Sequence, residues 1–540
     1  DFVLSVVPAC ARKDTDVRCD LLFGVDVEAV FRALAALAEN NVIDVEAGQH
    51  MISRHIYGHF AEHLGRCIYG GIWVGEDSPI PNTRGIRNDV VAALKDIAAP
   101  NVRWPGGCFA DEYHWMDGIG PRDQRPKMIN THWGGVTEDN SFGTHEFMDF
   151  CEQVGCEPVI TGNVGSGTVR EMAQWVEYLT SDNVSPMTEL RKKNGREKPW
   201  RVRFWGLGNE NWGCGGNMTA DFYADEMRRF STYCKNYSGN ELYRVACGPS
   251  DENYKWMETL MKEPINRNCF QGISLHYYTV CHDWTNKGSA TNFNEKDWFL
   301  TMSKTLRMDE FVTKHSAIMD KYDPEKKIGL IVDEWGNWHD VEPGTNPAFL
   351  YQQNTLRDAL VAATNLNIFN NHCERVKMAN IAQMVNVLQA IILTNEDQIV
   401  LTPTYYVYKM YKVHQDATLL PIELTCQNYE LADGSIPAVN ASASVDKQGI
   451  IHITLCNLDP NKNMNLTCEL KSKNKFSVSS GSIITAGKMN AFNDFGKPEE
   501  VNLQKFTDCK IAENTLSVNL PAKSVVMVEL VSKSADKPKK

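Results

Sequence analysis

Val202-Arg203-Phe204-Trp205-Gly206-Leu207-Gly208-Asn209-Glu210-Asn211-Trp212 is an apolar run that closes on polar residues, and Ile328-Gly329-Leu330-Ile331-Val332-Asp333-Glu334-Trp335-Gly336-Asn337-Trp338 repeats the pattern. Their strand-like parts, 202–209 and 328–333, belong to a series that also holds 56–60, 101–105, 158–163, 244–248, 272–277 and 381–388. Short runs of this kind, rich in β-branched and aromatic residues, read as strands. Helical periodicity lies between them, over 86–98, 145–154, 171–180, 220–233, 256–262, 299–322 and 349–365. This alternation predicts an α/β fold, a (β/α)8 TIM barrel spanning 55–400. An open doubly wound sheet fits less well, because no GxGxxG or Walker sequence follows any run.

Beyond residue 400 the texture changes. Residues 450–455, 516–520 and 524–531 are short alternating runs separated by Asn, Gly, Asp and Pro, which predicts a C-terminal antiparallel β-sandwich, jelly-roll-like, over 401–532. Residues 533–540 are polar and basic and read as a flexible tail. A helical pattern over 27–37 lies in an extension, 1–40, that carries no evident chemistry.

Composition narrows the functional classes. The 540 residues include 55 basic and 68 acidic side chains, a net charge of −13, which disfavours a nucleic-acid partner. With 43% hydrophobic and 23% charged residues, the chain reads as an ordinary globular protein. The richest apolar stretch, 381–393, is interrupted by Gln383, Asn386 and Gln389 and falls short of the roughly 20 residues of a membrane helix. The start at Asp1 lacks the basic n-region of a secretory signal, so the compartment is left open. Sixteen cysteines are scattered without CxxC pairs or Cys/His zinc spacing; most read as buried thiols.

In a βα barrel the site forms at the C-terminal ends of the strands. Glu210 closes the fourth run and Glu334 the seventh, each beside tryptophan. Strands three apart in an eight-membered barrel lie nearly opposite across its mouth, a layout for cleaving a glycosidic bond with two carboxylates. A gap of about 5–5.5 Å makes one of them a nucleophile, whereas about 6.5–9.5 Å admits a water and gives inversion. Asn209 can donate to a sugar hydroxyl, and His276 and Tyr278, at the end of the sixth run, can hydrogen-bond the nucleophile. The competing reading makes both glutamates rim ion pairs, and their matching positions weigh against it.

A second group comprises His59, Glu62 and His63 after the first run, then Arg103, Trp104, the 105–109 turn, Tyr113 and Trp115 after the second. It supplies aromatic platforms and polar edges suited to sugars, although Trp115, Trp133 and Trp338 serve a core equally well. Metal catalysis is not favoured, since His59 and His63 find no ligand partners at other strand ends in metal spacing.

The motifs resemble those of glycoside hydrolase family 51, the α-L-arabinofuranosidases of clan A. The matching stretches are Gly58-His59-Phe60-Ala61-Glu62-His63-Leu64-Gly65-Arg66, Arg103-Trp104-Pro105-Gly106-Gly107-Cys108-Phe109, Trp115-Met116-Asp117-Gly118-Ile119-Gly120-Pro121, Gly208-Asn209-Glu210, His276-Tyr277-Tyr278, Asp333-Glu334-Trp335 and Gln383-Met384-Val385-Asn386. The resemblance implies a retaining double displacement with Glu210 as acid/base and Glu334 as nucleophile. It implies a pocket for terminal arabinofuranose lined by Glu62, Cys108, Asn209, Tyr278 and Gln383, supported by Arg103 and His276 and walled by Trp115 and Trp338. It also implies a sandwich strand recruited from before the barrel, within 41–54 and here 42–52, a homo-oligomer, often a hexamer, and no cofactor. Residues 1–40 match nothing in the pattern. Cys281-His282-Asp283-Trp284 and the loop through 340–344 look particular to a subgroup, and such loops set which aglycone fits.

The expected function is removal of terminal arabinofuranosyl residues from arabinan, arabinoxylan or arabino-oligosaccharides. Two alternatives stand beside it: β-xylosidase or endo-β-glucanase activity on the same scaffold, and a non-catalytic carbohydrate-binding protein, which the presence of both carboxylates disfavours. The negative balance speaks against a polyanionic substrate, and a neutral plant-wall glycan is compatible with it.

Overall fold

The computed structural model describes residues 41–432 and 434–533; the extension 1–40, its helical pattern over 27–37 and all but the first residue of the tail lie outside them. After a first strand, β1 (Asn41–Asp44), the strands of the barrel are β2 (Gly58–Phe60), β3 (Asn101–Trp104), β4 (Glu157–Gly162), β5 (Phe204–Leu207), β6 (Tyr243–Ala246), β7 (Gly272–Thr279), β8 (Gly329–Asn337) and β9 (Val376–Ala382). β2 to β9 pair in parallel and close into a barrel in chain order. Around it run α1 (Asn88–Asp96), α2 (Thr144–Val154), α3 (Val169–Thr180), α4 (Ala220–Tyr233), α5 (Tyr254–Lys262), α6 (Glu295–Tyr322) and α7 (Leu356–Asn371). Among the described residues no helix is long and apolar enough to cross a membrane.

Side-chain caps set where several of these helices begin. Thr168, Thr219 and Asn253 accept from Glu171 N, Phe222 N and Trp256 N, and Asn294 forms a reciprocal box with Asp297; each satisfies a backbone donor that the first turn leaves unpaired.

Two readings are corrected. The run 381–388 is not the eighth strand: β9 ends at Ala382, and the chain then leaves the ladder as buried coil. Its polar side chains are bonded there, Asn386 Nδ2 to Thr394 Oγ1 at 2.7 Å and Gln389 Nε2 to the Asp358 carbonyl at 2.7 Å, so burial rather than strand pairing accounts for the apolar texture. The helix expected over 349–365 starts later, because Thr355 and Asp358 form the capping box at its true beginning.

α7 is buried along nearly its whole length. It carries Arg357, Asp358, Asn365, Asn367 and Asn370 among its apolar residues and is wedged between β8, β9 and the C-terminal strands. Asn367 Nδ2 reaches Asn440 Oδ1 at 2.9 Å, and Thr454 Oγ1 donates to Asn367 Oδ1 at 2.8 Å. These bonds satisfy amides that would otherwise be desolvated at a cost.

The C-terminal strands follow α8 (Pro403–Tyr411): β10 (Thr418–Leu420), β11 (Ile422–Glu423), β12 (Val439–Val445), β13 (Ile451–Asn457), β14 (Met464–Lys471), β15 (Phe476–Ile484), β16 (Gln504–Lys505), β17 (Cys509–Ala512), β18 (Thr515–Leu520) and β19 (Ser524–Ser532). One sheet has the order β11-β1-β14-β18-β17 and the other β10-β12-β13-β19-β15-β16. β1 lies parallel to β14, with Asn41 opposite Cys468, while the remaining pairs are antiparallel. In β14, Met464, Leu466 and Leu470 point inward while Asn465, Thr467 and Lys471 are exposed, the period of two that a strand imposes. Each fully buried apolar side chain contributes about 1.5–3 kcal/mol.

Candidate active site

Glu334 lies within β8 and is 5% exposed. The β7–β8 register sets His276 opposite it. Arg103, at the end of β3, donates to Glu334 Oε1 at 2.9 Å, and its Nη2 also donates to Asn209 Oδ1. The Arg103 Nε lies 3.3 Å from Asp333 Oδ2. The Tyr278 hydroxyl donates a hydrogen bond to Glu334 Oε2 at 2.9 Å. His276 is a bridge: its Nδ1 is 2.8 Å from Glu210 Oε1 and 3.6 Å from Glu334 Oε2, and its Nε2 is 3.1 Å from Asp333 Oδ1. One oxygen of Glu210, one of Glu334 and a His276 ring nitrogen all lie within 4.8 Å of one another.

Burial pushes Glu210 above the usual carboxylate range and the Glu334 charge adds to it, against the hydrogen bond from His276. Burial also works against a charged His276, yet the Glu334 charge and the bonds to Asp333 and Glu210 outweigh it and raise the imidazole to about 10. It is therefore a cation at neutral pH that donates from both nitrogens. Asp333, though buried, is held below its ordinary value by the Arg103 charge and by His276.

Glu210 stands in a turn beyond β5. Gly208 has φ +85°, and a Cβ there would come within 2.1 Å of Asn211 Oδ1. Glu210 itself has φ +40°, a conformation that costs a non-glycine residue about 1–3 kcal/mol and persists only where the surroundings impose it. Asp111, in the loop after β3, imposes it from one side. Its Oδ2 accepts from Asn209 N at 2.8 Å, and its Oδ1 from Val164 N and Gly165 N, each at 2.7 Å. Burial raises Asp111 to about 7 in spite of these donors. The Cys108–Cys214 disulfide ties the same two segments together.

The pocket wall is organised by Glu62, just past β2. It accepts from Gly107 N and Phe109 N at 3.1 Å, from Trp133 Nε1 at 2.9 Å and from Gln383 Nε2 at 2.9 Å. Burial, helped by the Glu334 charge, lifts it to about 7. A Cβ on Gly107 would come within 2.8 Å of Glu334 Oε1, so the chain passes close to the reacting group there because it lacks a side chain. Asn209 Nδ2 and Gln383 Oε1 are buried without a partner, which is costly unless a ligand satisfies them.

The α-L-arabinofuranosidase 1 domain matches residues 93–294, and the α-L-arabinofuranosidase C-terminal domain matches residues 333–524. An intracellular exo-α-L-arabinofuranosidase of Bacteroides ovatus is 56% identical over 489 residues, covering 90% of this chain and 95% of that protein. This chain belongs to the family 51 α-L-arabinofuranosidases. Two family structures agree. The GH51 arabinofuranosidase of Xanthomonas axonopodis pv. citri superposes with TM-score 0.90 at 51% identity, covering 91% of this chain and 99% of that one. The Thermotoga maritima α-L-arabinofuranosidase, solved as an arabinose complex, superposes with TM-score 0.78 at 30% identity over 92% of this chain and 100% of that one. Membership makes the chain a glycoside hydrolase.

Among the residues expected at the family's site, Glu210, Glu334, Glu62, Asn209, Tyr278, Gln383, Arg103 and His276 converge at the barrel mouth through the contacts above, and Trp338 packs edge-on against Tyr278 at 5.0 Å. Trp115 does not join them. It is 1% exposed, stacks on Trp175 at 6.0 Å and donates its indole N–H to the Glu171 carbonyl, so it is a core residue, and Trp133 meets Glu62 instead. Cys108 is half of a disulfide rather than a thiol. Asp111, Asp333 and Cys214 are additions that the sequence does not single out, and Trp133, open there between sugar platform and core, bonds Glu62. Asp333 adjoins Glu334 in sequence and was within reach of it; the others depend on contacts made by distant segments.

Among the described residues, two other clusters bring three metal-type ligand atoms within 4.8 Å, Cys108–Glu210–Cys214 and Cys281–His282–Asp297. The sulfurs of the first are joined to each other, and in the second His282 pairs with Asp297 at 3.2 Å. His59 is buried with neither ring nitrogen bonded, and burial drives it down to about 3, while His63 is engaged by Glu138 and Trp104.

Proposed function

We propose that the chain is a retaining, exo-acting α-L-arabinofuranosidase in which Glu334 is the nucleophile and Glu210 the general acid/base. The approach of a Glu210 oxygen to a Glu334 oxygen within 4.8 Å carries this reading. It accords with the about 5–5.5 Å of retaining pairs and falls short of the about 6.5–9.5 Å that leaves room for water.

In the first step the Glu334 carboxylate attacks the anomeric carbon while Glu210 gives its proton to the departing glycosidic oxygen. The resulting ester is neutral, so the charge that helped to raise Glu210 is gone. Glu210, now the stronger acid and ionised, can take a proton from the water that opens the ester, and configuration at the anomeric carbon is retained. Arg103 and Tyr278 hold Glu334 in place, and Asp333 anchors His276 against Glu210. Asn209 Nδ2 and Gln383 Oε1 supply hydrogen bonds to furanose hydroxyls. The ties from Glu62 to the loop after β3, to Trp133 and to Gln383 close one side of the pocket, which supports removal of terminal residues.

The substrates in this reading are arabinan, arabinoxylan or arabino-oligosaccharides, and the assembly is a homo-oligomer, checked by light scattering. The deciding experiment compares p-nitrophenyl α-L-arabinofuranoside hydrolysis by the wild type and Glu334→Gly, with proton NMR of the first sugar anomer released. We expect a loss of roughly 10⁴-fold in the variant and α-furanose first from the wild type. Release of the β-anomer first would mean inversion, and an inert wild type that cleaves xyloside or glucan would move the chain to another activity.

A further inference from the structure

Of the thirteen tryptophans in the chain, Trp284 is the one counted among the exposed large hydrophobic residues, at 54%. A lone exposed apolar residue is ordinary; the place of this one and the rigidity of its loop are not. Trp284 packs edge-on against Trp338 at 5.4 Å, Trp338 packs against Tyr278 at 5.0 Å, and the Tyr278 hydroxyl holds Glu334. The indole thus stands two aromatic contacts out from the reacting carboxylate.

Its loop is fixed from three sides. At the near end, Cys281 Sγ lies 3.4 Å from the Asp297 carbonyl, His282 pairs with Asp297 at 3.2 Å, and Lys304 donates to the Val280 and His282 carbonyls. At the tip, Asp283 Oδ1 accepts from Thr285 N at 2.8 Å and Asn286 N at 3.0 Å, and Lys287 Nζ donates to the Trp284 carbonyl at 2.9 Å. At the far end, Asp340 accepts from Lys287 N and Gly288 N and returns a backbone bond to the Gly288 carbonyl. An indole presented this way offers a flat apolar surface with little left to order on binding.

We propose that Trp284 is the platform of an aglycone subsite. It receives the apolar face of the neutral sugar ring that departs with the glycosidic oxygen, so the preferred substrates carry at least one further sugar ring beyond the arabinofuranosyl group. The proposal rests on the hydrolase reading above.

The test compares two substrates that share the arabinofuranosyl group and differ in the aglycone: arabinobiose, and methyl α-L-arabinofuranoside, which has no second ring. Trp284→Ala is expected to lower kcat/KM on arabinobiose about fivefold, mainly through KM, and to leave the methyl glycoside at the wild-type rate. Trp284→Phe, which keeps a ring, is expected to retain most of the arabinobiose rate and serves as the control should the alanine variant fold poorly. Equal losses on both substrates, or no loss on arabinobiose, would overturn the subsite. A wild type inert toward both would instead sink the hydrolase reading beneath it.

Discussion

Glu334 and Glu210 meet at one site, yet they reach it by different means. Glu334 sits inside β8, where β7 brings His276 level with it and its neighbours Val332 and Trp335 pair with β9 on either side of an irregularity in the ladder. Glu210 stands beyond the end of β5 in a left-handed backbone conformation, held by Asp111 from the loop after β3 and by the disulfide to Cys108. Strand geometry positions the first carboxylate; contacts from about a hundred residues away position the second. A strand-borne group is therefore sensitive chiefly to its own replacement, whereas the loop-borne group can be displaced by changes that never touch it.

The largest effect that sharpens this contrast is at Glu210 itself. Glu210→Ala should cost about 10²–10⁴-fold on glycan substrates and much less on p-nitrophenyl α-L-arabinofuranoside, whose leaving group needs no proton; equal losses would remove the acid role. Next is Asp111→Ala, which touches neither carboxylate. With the Asn209 and Gly165 donors released, the turn should relax and kcat fall about 10²-fold, with circular dichroism unchanged and KM little affected. A wild-type kcat would mean that the turn holds Glu210 unaided and would break the comparison.

His276→Ala is expected to lower kcat/KM about tenfold and to move its pH profile. Glu210 must be protonated to act as an acid, so activity falls as pH rises through its pKa. The His276 hydrogen bond and charge hold that pKa down, and their removal lets it rise, so the alkaline limb should shift to higher pH. A shift to lower pH would contradict the assignment. The smallest kinetic effect is expected from Cys108→Ala combined with Cys214→Ala: a few-fold loss in kcat, together with about 2–5 kcal/mol of stability for a link closing a separation of 106 residues, read from the denaturation midpoint.

How far the site can be read from the chain follows the same division. Glu334, Tyr278 and His276 belong to apolar runs whose ends are visible as changes in residue type, and Arg103 closes another. Glu210 was equally visible as a strand-closing carboxylate, but nothing local announces its left-handed backbone or its dependence on Asp111. Trp115 shows the converse: an aromatic residue inside a site motif, placed by Trp175 and Tyr178 in the core. The run 381–388 misleads for a related reason, since a buried coil with bonded amides has the same apolar texture as a strand.

The sequence by itself determined the βα alternation, the change to short alternating strands beyond residue 400, and the two carboxylates at strand ends, because period and residue type are local properties that burial writes along the chain. The tertiary structure decided the approach of those carboxylates within 4.8 Å, the Cys108–Cys214 pairing, the Asp111 clamp and the exchange of Trp115 for Trp133. Those outcomes depend on distances between segments far apart in sequence, which only barrel closure and loop packing set.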